Sequence, residues 1–466
     1  MRGAKRTSMT DPSAPSRHPA SFRDPSGYVF SLSEGAVVYR RIQPVYFEHY
    51  RQLMTGGLYD TLTSKGLLIP HEEVEESPDK VVIKPEQLEF ISYPYEWSFE
   101  QLKAAALATL RIAHHALKHG MILKDGTAFN IQFLKSRPVF IDTLSFDTYR
   151  EGTPWYAYGQ FVRHFLAPLL MMKYVSSDTG KLSAQYLDGI PLEVIAASLP
   201  VRARLSPFLW SNIFLHNRAH QKLQKQTKDA KVSKKLLFAI LQNLFEHIKD
   251  LRMSHATEWG DYGSEVNYTT EAMEAKESIV RGWIEHNGYR RVWDVGGNEG
   301  RFSRAIHDLA EFILCSDIDN VAVSKCYRMS LETRNIYALM ADVTAPSPGI
   351  GHMNRERSSL LERVRGARFD CTVALALIHH LSLTANLPFD MTAELFASTA
   401  RNLIIEFVPP GDSWVDMLLD TKREAKGLFS HYNQEEFEAV YSKYFHEREK
   451  AEIPGSRRIL YRLETR

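Results

Sequence analysis

Several carboxylates, a glycine-rich turn and a histidine pair stand out in the second half of this 466-residue chain. Asp294 follows the apolar pair Val292-Trp293 and leads into Val295-Gly296-Gly297-Asn298-Glu299-Gly300. Phe302, Ala305, Ile306 and Leu309 come next at helical spacing, so the stretch reads as strand, tight turn and helix. Glycines let a backbone bend sharply and approach a ligand, and a helix start brings unpaired N–H donors to the same place. Asp317 ends the apolar run from Phe312 to Ser316. It lies about 20 positions past the glycines, where an acid can hold a ribose diol. Asp342, followed by Val343, ends another short apolar run. His379 and His380 leave a strand read over Phe369 to Leu377, on the side where open α/β sheets bind ligands. An imidazole there can act as a general base near neutral pH, or can pack and cap the next helix. Alternation along the strand sends the two rings in different directions, which puts His379 at the ligand and His380 in packing. Glu406 lies in a strand read over Asn402 to Val408, where a buried carboxylate needs either a structural partner or a ligand.

The first half carries a second set. Met121-Ile122-Leu123-Lys124-Asp125 is followed by Asn130 five positions on, and by Asp142 at the end of Pro138-Val139-Phe140-Ile141. Asp and Asn at such places can meet a nucleotide or a metal, or can simply satisfy turns and strand ends. The three cysteines, Cys315, Cys326 and Cys371, lack metal-ligand spacing, and no resident metal is expected.

The order of elements in the second half resembles class I S-adenosylmethionine-dependent methyltransferases. Asp294-x-Gly296-x-Asn298-x-Gly300 matches their first motif, with Asn298 where a second glycine is usual. The resemblance covers roughly Thr257 to Arg466. It implies S-adenosylmethionine as cofactor, held by Asp294, Gly296, Gly297, Asn298 and Gly300, by Asp317 at the ribose, and by Asp342 and Val343 near the adenine. It also implies a mostly parallel, seven-stranded Rossmann-like sheet with an antiparallel terminal strand. Two extended runs, Phe445 to Ile453 and Arg457 to Leu463, fit the hairpin that ends such a sheet. His379, His380 and Glu406 are then the candidates for acceptor chemistry. The Asn/Asp-Pro-Pro-Tyr/Phe motif of many amine and amide methyltransferases is absent at the fourth strand. From roughly Phe22 to Leu205 the chain resembles the protein-kinase-like superfamily, in which Asp125 would orient an acceptor hydroxyl and Asn130 and Asp142 would hold Mg²⁺. This chain departs from that pattern. Leu123-Lys124 and Thr143-Leu144 replace the usual neighbours of the two acids, and the first hairpin has one glycine. Arg40 or Arg41 is the nearest cation in the hairpin, and arginine does not replace lysine simply. The resemblance implies an α+β kinase-like fold with a possible nucleotide site, and the departures count against phosphotransfer. The combination is similar to bacterial two-part proteins often labelled as methyltransferases or as nodulation-related proteins.

The elements that must position these groups read in order. Residues 1–21, rich in Ser, Pro and basic residues, read as a disordered tail. Tyr28 to Phe30 and Ala36 to Ile42 form a hairpin around Ser33-Glu34-Gly35. Val45 to Leu62 is helical, and Val81 to Ile83 and Leu88 to Ile91 are strands. Ser98 caps a helix with Leu102, Ala106, Leu110 and Ala113 on one face. Trp155 to Tyr174 is a buried helix. Paired helices in a linker over residues 206–256, with a lysine run from Lys222 to Lys235, join the kinase-like domain (22–205) to the methyltransferase domain (257–466). Trp259, Tyr262 and Tyr268 precede a helix capped by Thr269 or Thr270 and could pack there or cover a sulfonium ligand. A hydrophobic content of 44%, a charged content of 24% and a net charge of +1 describe an ordinary globular protein. They give no argument for nucleic acid or membrane, and no secretory signal is visible, so a cytoplasmic protein acting on an unidentified methyl acceptor is expected. The alternative is a phosphotransferase or nucleotide-binding protein whose second half only binds or senses the cofactor.

Overall fold

The computed structural model describes residues 16–32, 37–217, 231–253, 269–422 and 427–466. The first sheet is antiparallel and runs in the order β1 (Ser16–Arg17), β2 (Gly27–Leu32), β3 (Val37–Ile42), β5 (Lys80–Pro85), β4 (His71–Ser77). The expected strand over Leu88 to Ile91 is absent; β4 takes the place beside β5. Its sequence, His-Glu-Glu-Val-Glu-Glu-Ser, hides it from a hydrophobic search, but four glutamates and a bulge between Glu73 and Glu75 suit an edge that must not recruit another strand. Two helices, α1 (Phe47–Thr55) and α2 (Leu58–Ser64), break at Gly56-Gly57 within the expected helical stretch. The Ser33-Glu34-Gly35 turn lies outside the described residues, as do residues 1–15, most of the lysine run, and Trp259, Tyr262 and Tyr268.

Helix α3 (Phe99–Lys118) starts at a capping box: Ser98 Oγ accepts the Gln101 N–H, and Gln101 Oε1 accepts the Ser98 N–H. Leu102, Ala106, Leu110 and Ala113 are all buried. Two short hairpin-like pairs follow, β6 (Met121–Leu123) with β9 (Phe146–Thr148), and β7 (Ile131–Leu134) with β8 (Arg137–Phe140). Helix α4 (Lys234–Lys249) buries Leu237, Leu241, Leu244 and Ile248 in the same core as α3.

The second sheet has the order β12 (Ile336–Met340), β11 (Phe312–Asp317), β10 (Arg291–Val295), β13 (Phe369–Ala374), β14 (Ala400–Phe407), β16 (Ile459–Thr465), β15 (Phe445–Glu452). Neighbours from β12 to β14 are parallel; β16 is antiparallel to both β14 and β15. The central strands are apolar along their length because helices cover both faces. Helix α5 (Thr270–Asn287) enters β10 and α6 (Asn320–Thr333) leaves β11. Thr269 caps α5 by accepting the Ala272 N–H at 3.2 Å.

The two sheets belong to one packed body. Edge strand β12 is buried at every residue. Gln101 Nε2 donates to Ala338 O at 2.8 Å, Ser136 Oγ donates to Ile336 O at 2.7 Å, and the Lys135 N–H reaches Tyr337 Oη at 3.0 Å. The first turn of α3 meets α6 where the Phe99 N–H donates to Asn320 Oδ1 at 2.9 Å. Among the described residues no helix is long and apolar enough to cross a membrane. Cys315, Cys326 and Cys371 are free and buried.

Candidate functional site

A cleft of about 1200 Å³ opens at the C-terminal ends of β10 to β13. Strand order reverses between β10 and β13, and ligands bind open α/β sheets at that crevice. Asp294, Gly296, Gly297, Asn298, Gly300, Asp317, Asp342 and Val343 all line it.

The turn is folded back on β11, because the N–H groups of Gly296 and Gly297 both donate to Ser316 O, at 2.8 and 3.0 Å. A Cβ on Gly297 would lie 2.6 Å from Cys315 Sγ and 2.8 Å from Asp294 Oδ2, so no larger residue fits without moving the floor. Asn298 sits at φ +49, a left-handed conformation that Asn tolerates better than most residues, which explains its presence at a glycine-like position. Its N–H donates to Asp317 Oδ2 at 2.9 Å, and the Asp319 N–H donates to Oδ1 at 2.9 Å. Burial nevertheless pushes the Asp317 carboxyl up to about 6, against those two hydrogen bonds. Burial likewise raises Asp294 to about 6, opposed by Ser303 Oγ, which donates to it at 2.6 Å. Asp342 takes both of its hydrogen bonds on Oδ1, from the N–H and Oγ of Thr344 at 2.9 and 2.6 Å. Three acceptor groups are thus spread along the ends of successive strands, with a glycine turn that lets a ligand lie against the backbone between them.

The histidines are placed the other way round from the strand alternation. His379 is fully buried, and neither ring nitrogen has a hydrogen-bond partner among the described residues. It does not line the cleft; His380 does. The rings lie 4.1 Å apart by centroid. The cause is backbone: β13 stops at Ala374, Ala376 adopts φ +48, and a π-helical turn starts at His380, so alternation ends before the pair begins. Burial, and then the charge of Arg458, lowers the His380 imidazole to about 4. It is a neutral hydrogen-bonding group at pH 7 and a poor base for a hydroxyl.

Glu406 is not at the surface of the cleft either. It is wholly buried, accepts Lys276 Nζ at 2.5 Å and the Ala376 N–H at 2.8 Å, and lies 3.6 Å from Arg458 Nη1. Arg458 is held in turn by Asp412, through Nε at 2.7 Å and Nη2 at 3.1 Å. Glu406 therefore acts as a structural hub beneath the cleft, and Lys276, which lines the cleft, is the charged group above it. Sequence reasoning passed over Lys276 and Arg458. The available signal was a lysine on the apolar face of α5, four residues after Ala272 and four before Val280, both buried.

The first half brings Asp125, Asn130 and Asp142 into one polar cluster. The Asn130 side chain hydrogen-bonds Asp125 and donates to Ser145 Oγ at 3.4 Å, and Ser145 Oγ donates to Asp142. Arg40 Nη1 pairs with Asp142 Oδ1, which also accepts the Leu144 N–H at 3.2 Å. Burial pushes Asp142 up, but Arg40 and these donors outweigh it and hold the carboxyl below its ordinary value. Of the arginines before β13, Arg363 and Arg357 are not on a solvated face: Arg363 pairs with Glu96, and Arg357 lies 4.4 Å over the Phe129 ring. Among the described residues no group of three or more His, Cys, Asp or Glu is placed to hold a metal ion.

A seven-stranded sheet in this order, with one antiparallel strand inserted next to the last and a glycine turn after the first, is the Rossmann-like fold of class I methyltransferases. Over its whole length the chain is 33% identical to the nodulation protein NoeA of Rhizobium meliloti (strain 1021), across 471 aligned positions that cover 97% of this chain and 96% of that protein. It belongs to that family. No family model matches the chain. Among solved structures, the N-methyltransferase NodS from Bradyrhizobium japonicum WM9 in complex with S-adenosyl-L-homocysteine is 10% identical, covering 43% of this chain and 90% of that one with a TM-score of 0.32. Magnesium protoporphyrin IX methyltransferase from Synechocystis PCC 6803 with bound SAH is 15% identical, covering 42% and 84% with a TM-score of 0.30. The fold assignment rests on strand order and direction.

Proposed function

We propose that the chain is an S-adenosylmethionine-dependent methyltransferase whose cofactor lies in the cleft of the second half, residues 257–466. The observation that carries this is the convergence of Asp294, Asp317 and Asp342 on a glycine turn at the switch point of the sheet. In this reading Asp317 accepts the ribose hydroxyls, Asp342 and the Val343 segment hold the adenine edge, and Gly296, Gly297, Asn298 and Gly300 admit the amino-acid end. The cofactor supplies an already activated methyl group. The chain's own part is to align the reactants and exclude water. His380 suits orientation of the acceptor, by accepting a hydrogen bond as a neutral imidazole, more than deprotonation. Glu406, itself paired with Lys276, holds Ala376 in the segment from Leu375 to Leu377 that floors the acceptor side in this reading. The acceptor is not identified by these residues. Residues 22–205 are read as kinase-like in fold, with Arg40 paired to Asp142 where a phosphotransferase would need that acid for a metal, and the whole as a cytoplasmic protein.

Calorimetric titration of the full chain with S-adenosylhomocysteine tests the reading. Binding weakened about 10- to 150-fold by Asp317→Ala, the equivalent of about 1.5–3 kcal/mol for a hydrogen bond to a charged group, is expected. Unaltered affinity in that variant would put the ribose elsewhere. Mg²⁺-ATP titrated into the same preparation separates the phosphotransferase alternative, for which saturable binding abolished by Asp142→Ala is the signature.

A further inference from the structure

The cleft's outer lip is made by Ala341, Asp342, Val343 and Thr344, where the chain leaves β12. From there an 18-residue loop, 342–359, runs to helix α7 (Leu360–Gly366). It holds a 3-10 turn at His352–Asn354 and an isolated bridge between Ile350 and Arg357. The loop touches the cleft only at its beginning, and the rest of it is pinned to the first half of the chain.

The pins are specific. Ser347 Oγ donates to Glu96 Oε1. The Ser358 N–H donates to Tyr93 Oη at 3.1 Å, and Arg23 Nε donates to Glu356 Oε1 at 3.0 Å. Glu96 is the centre of the arrangement. It is 2% exposed, and its Oε2 accepts the Tyr93 N–H and Arg363 Nη1, each at 3.0 Å, while Arg363 Nη2 meets Oε1. One carboxylate therefore joins the Pro94–Glu96 turn of the first half, helix α7 and the loop five residues after Asp342. A buried ion pair is weak evidence for stability, because desolvation offsets its attraction, but it fixes geometry closely. The Leu360 N–H, donating to Ser347 O at 2.9 Å, carries the same restraint to the far end of the loop.

We propose that Glu96 is a positioning residue of the cofactor cleft, setting through Ser347 the place of the lip that reads the nucleobase. The inference rests on the reading of the cleft given above. It makes base selectivity a property of both halves of the chain, although Glu96 itself touches no ligand. Asp342 Oδ2 makes no hydrogen bond among the described residues, and an exocyclic amine is the donor an adenine would offer there.

The test uses the full chain and two ligands, S-adenosylhomocysteine and S-inosylhomocysteine, whose purine carries an oxo group in place of the amine. Wild type should prefer the adenosyl compound. Glu96→Gln should weaken that compound about three- to tenfold and leave the inosyl compound within about twofold, so the preference collapses. Ser347→Ala leaves the buried ion pair whole and should move the preference in the same direction by less, which keeps the test sound if Glu96→Gln unfolds. Equal weakening of both ligands, or an unchanged ratio in a cooperatively folded Ser347→Ala protein, would overturn the role. Absence of any binding by wild type would instead overturn the reading of the cleft itself, and the role with it.

Discussion

Asp317 and Asp142 both follow an apolar strand, and both accept hydrogen bonds from backbone N–H groups, yet they end in opposite electrostatic states. Asp317 faces a large cleft, its donors among the described residues are neutral backbone N–H groups, and burial raises its carboxyl to about 6. Asp142 has Arg40 against it and is held below its ordinary value. Arg40 compensates Asp142 alone: Asp125, in the same cluster, is raised by burial and then by the charge of Asp142. The difference between these two carboxylates, Asp317 and Asp142, is thus one arginine, although both sit among Asp, Asn and Ser.

The sharpest way to break that comparison is to fill the turn. Gly297→Val places methyl groups where Cys315 Sγ and Asp294 Oδ2 already stand. S-adenosylhomocysteine binding should fall about 5- to 150-fold in calorimetry, the equivalent of the about 1–3 kcal/mol that overpacking costs, before any lost contact. Retained affinity would mean that the ligand does not lie against the turn.

The next effect is on stability. Removing one partner of the mostly buried Arg40–Asp142 pair, by Arg40→Ala, should cost up to about 3–5 kcal/mol, read from urea unfolding. S-adenosylhomocysteine affinity should stay within about twofold. An Arg40→Ala protein of wild-type stability would remove the claim that Arg40 compensates Asp142.

The pH dependence separates these carboxylates by sign. Asp294 and Asp317 titrate near 6 when folded and near 4 when unfolded. Between those values the folded state binds the extra protons, so their contribution favours folding below about pH 4 and is lost as pH rises through 6, by up to about 3 kcal/mol each. Asp142 does the reverse: its contribution is present above about pH 4 and is lost as pH falls through its lowered folded value. Asp317→Asn should therefore flatten the decline of ligand-free stability between pH 4 and 6, while Arg40→Ala should weaken the acid-side loss. An unchanged slope in Asp317→Asn would contradict the raised carboxyl.

The smallest effect concerns His380. With an imidazole near pKa 4, His380→Ala should lower methyl transfer by about tenfold or less once an acceptor is known, below the 10²–10⁴-fold typical of a general base. A loss of the larger size, with a rate that rises through a pKa near 7, would restore the role of base.

Much of the second half was legible because its signals are local. Strand, turn and helix share one stretch from Val292 to Leu309, and the terminal hairpin announces itself by two extended runs around Pro454-Gly455. Even the exception, Asn298, fits its left-handed backbone. The rest depends on contacts that no short window contains. Glu406 and Lys276 are 130 positions apart, and nothing in either neighbourhood names the other. The histidines were misplaced because parity holds only while the chain stays a strand, and Ala376 ends that early. Arg40 was visible as the nearest cation, but its seat on Asp142 was not. Strand β4 escaped because the charges that guard an edge also erase its hydrophobic pattern.

The covering of β12 reaches beyond the cleft. Its sequence, Ile-Tyr-Ala-Leu-Met, has none of the charges, prolines or bulges by which an exposed margin discourages strangers. Residues of α3 and the β7–β8 turn occupy that margin instead. Without the first half, the second would present five apolar residues with the outward-facing half of their amides and carbonyls open, a template to which another molecule could add a strand. Truncation would thus favour edge-to-edge association, and gene fission would require the two products to meet as they are made.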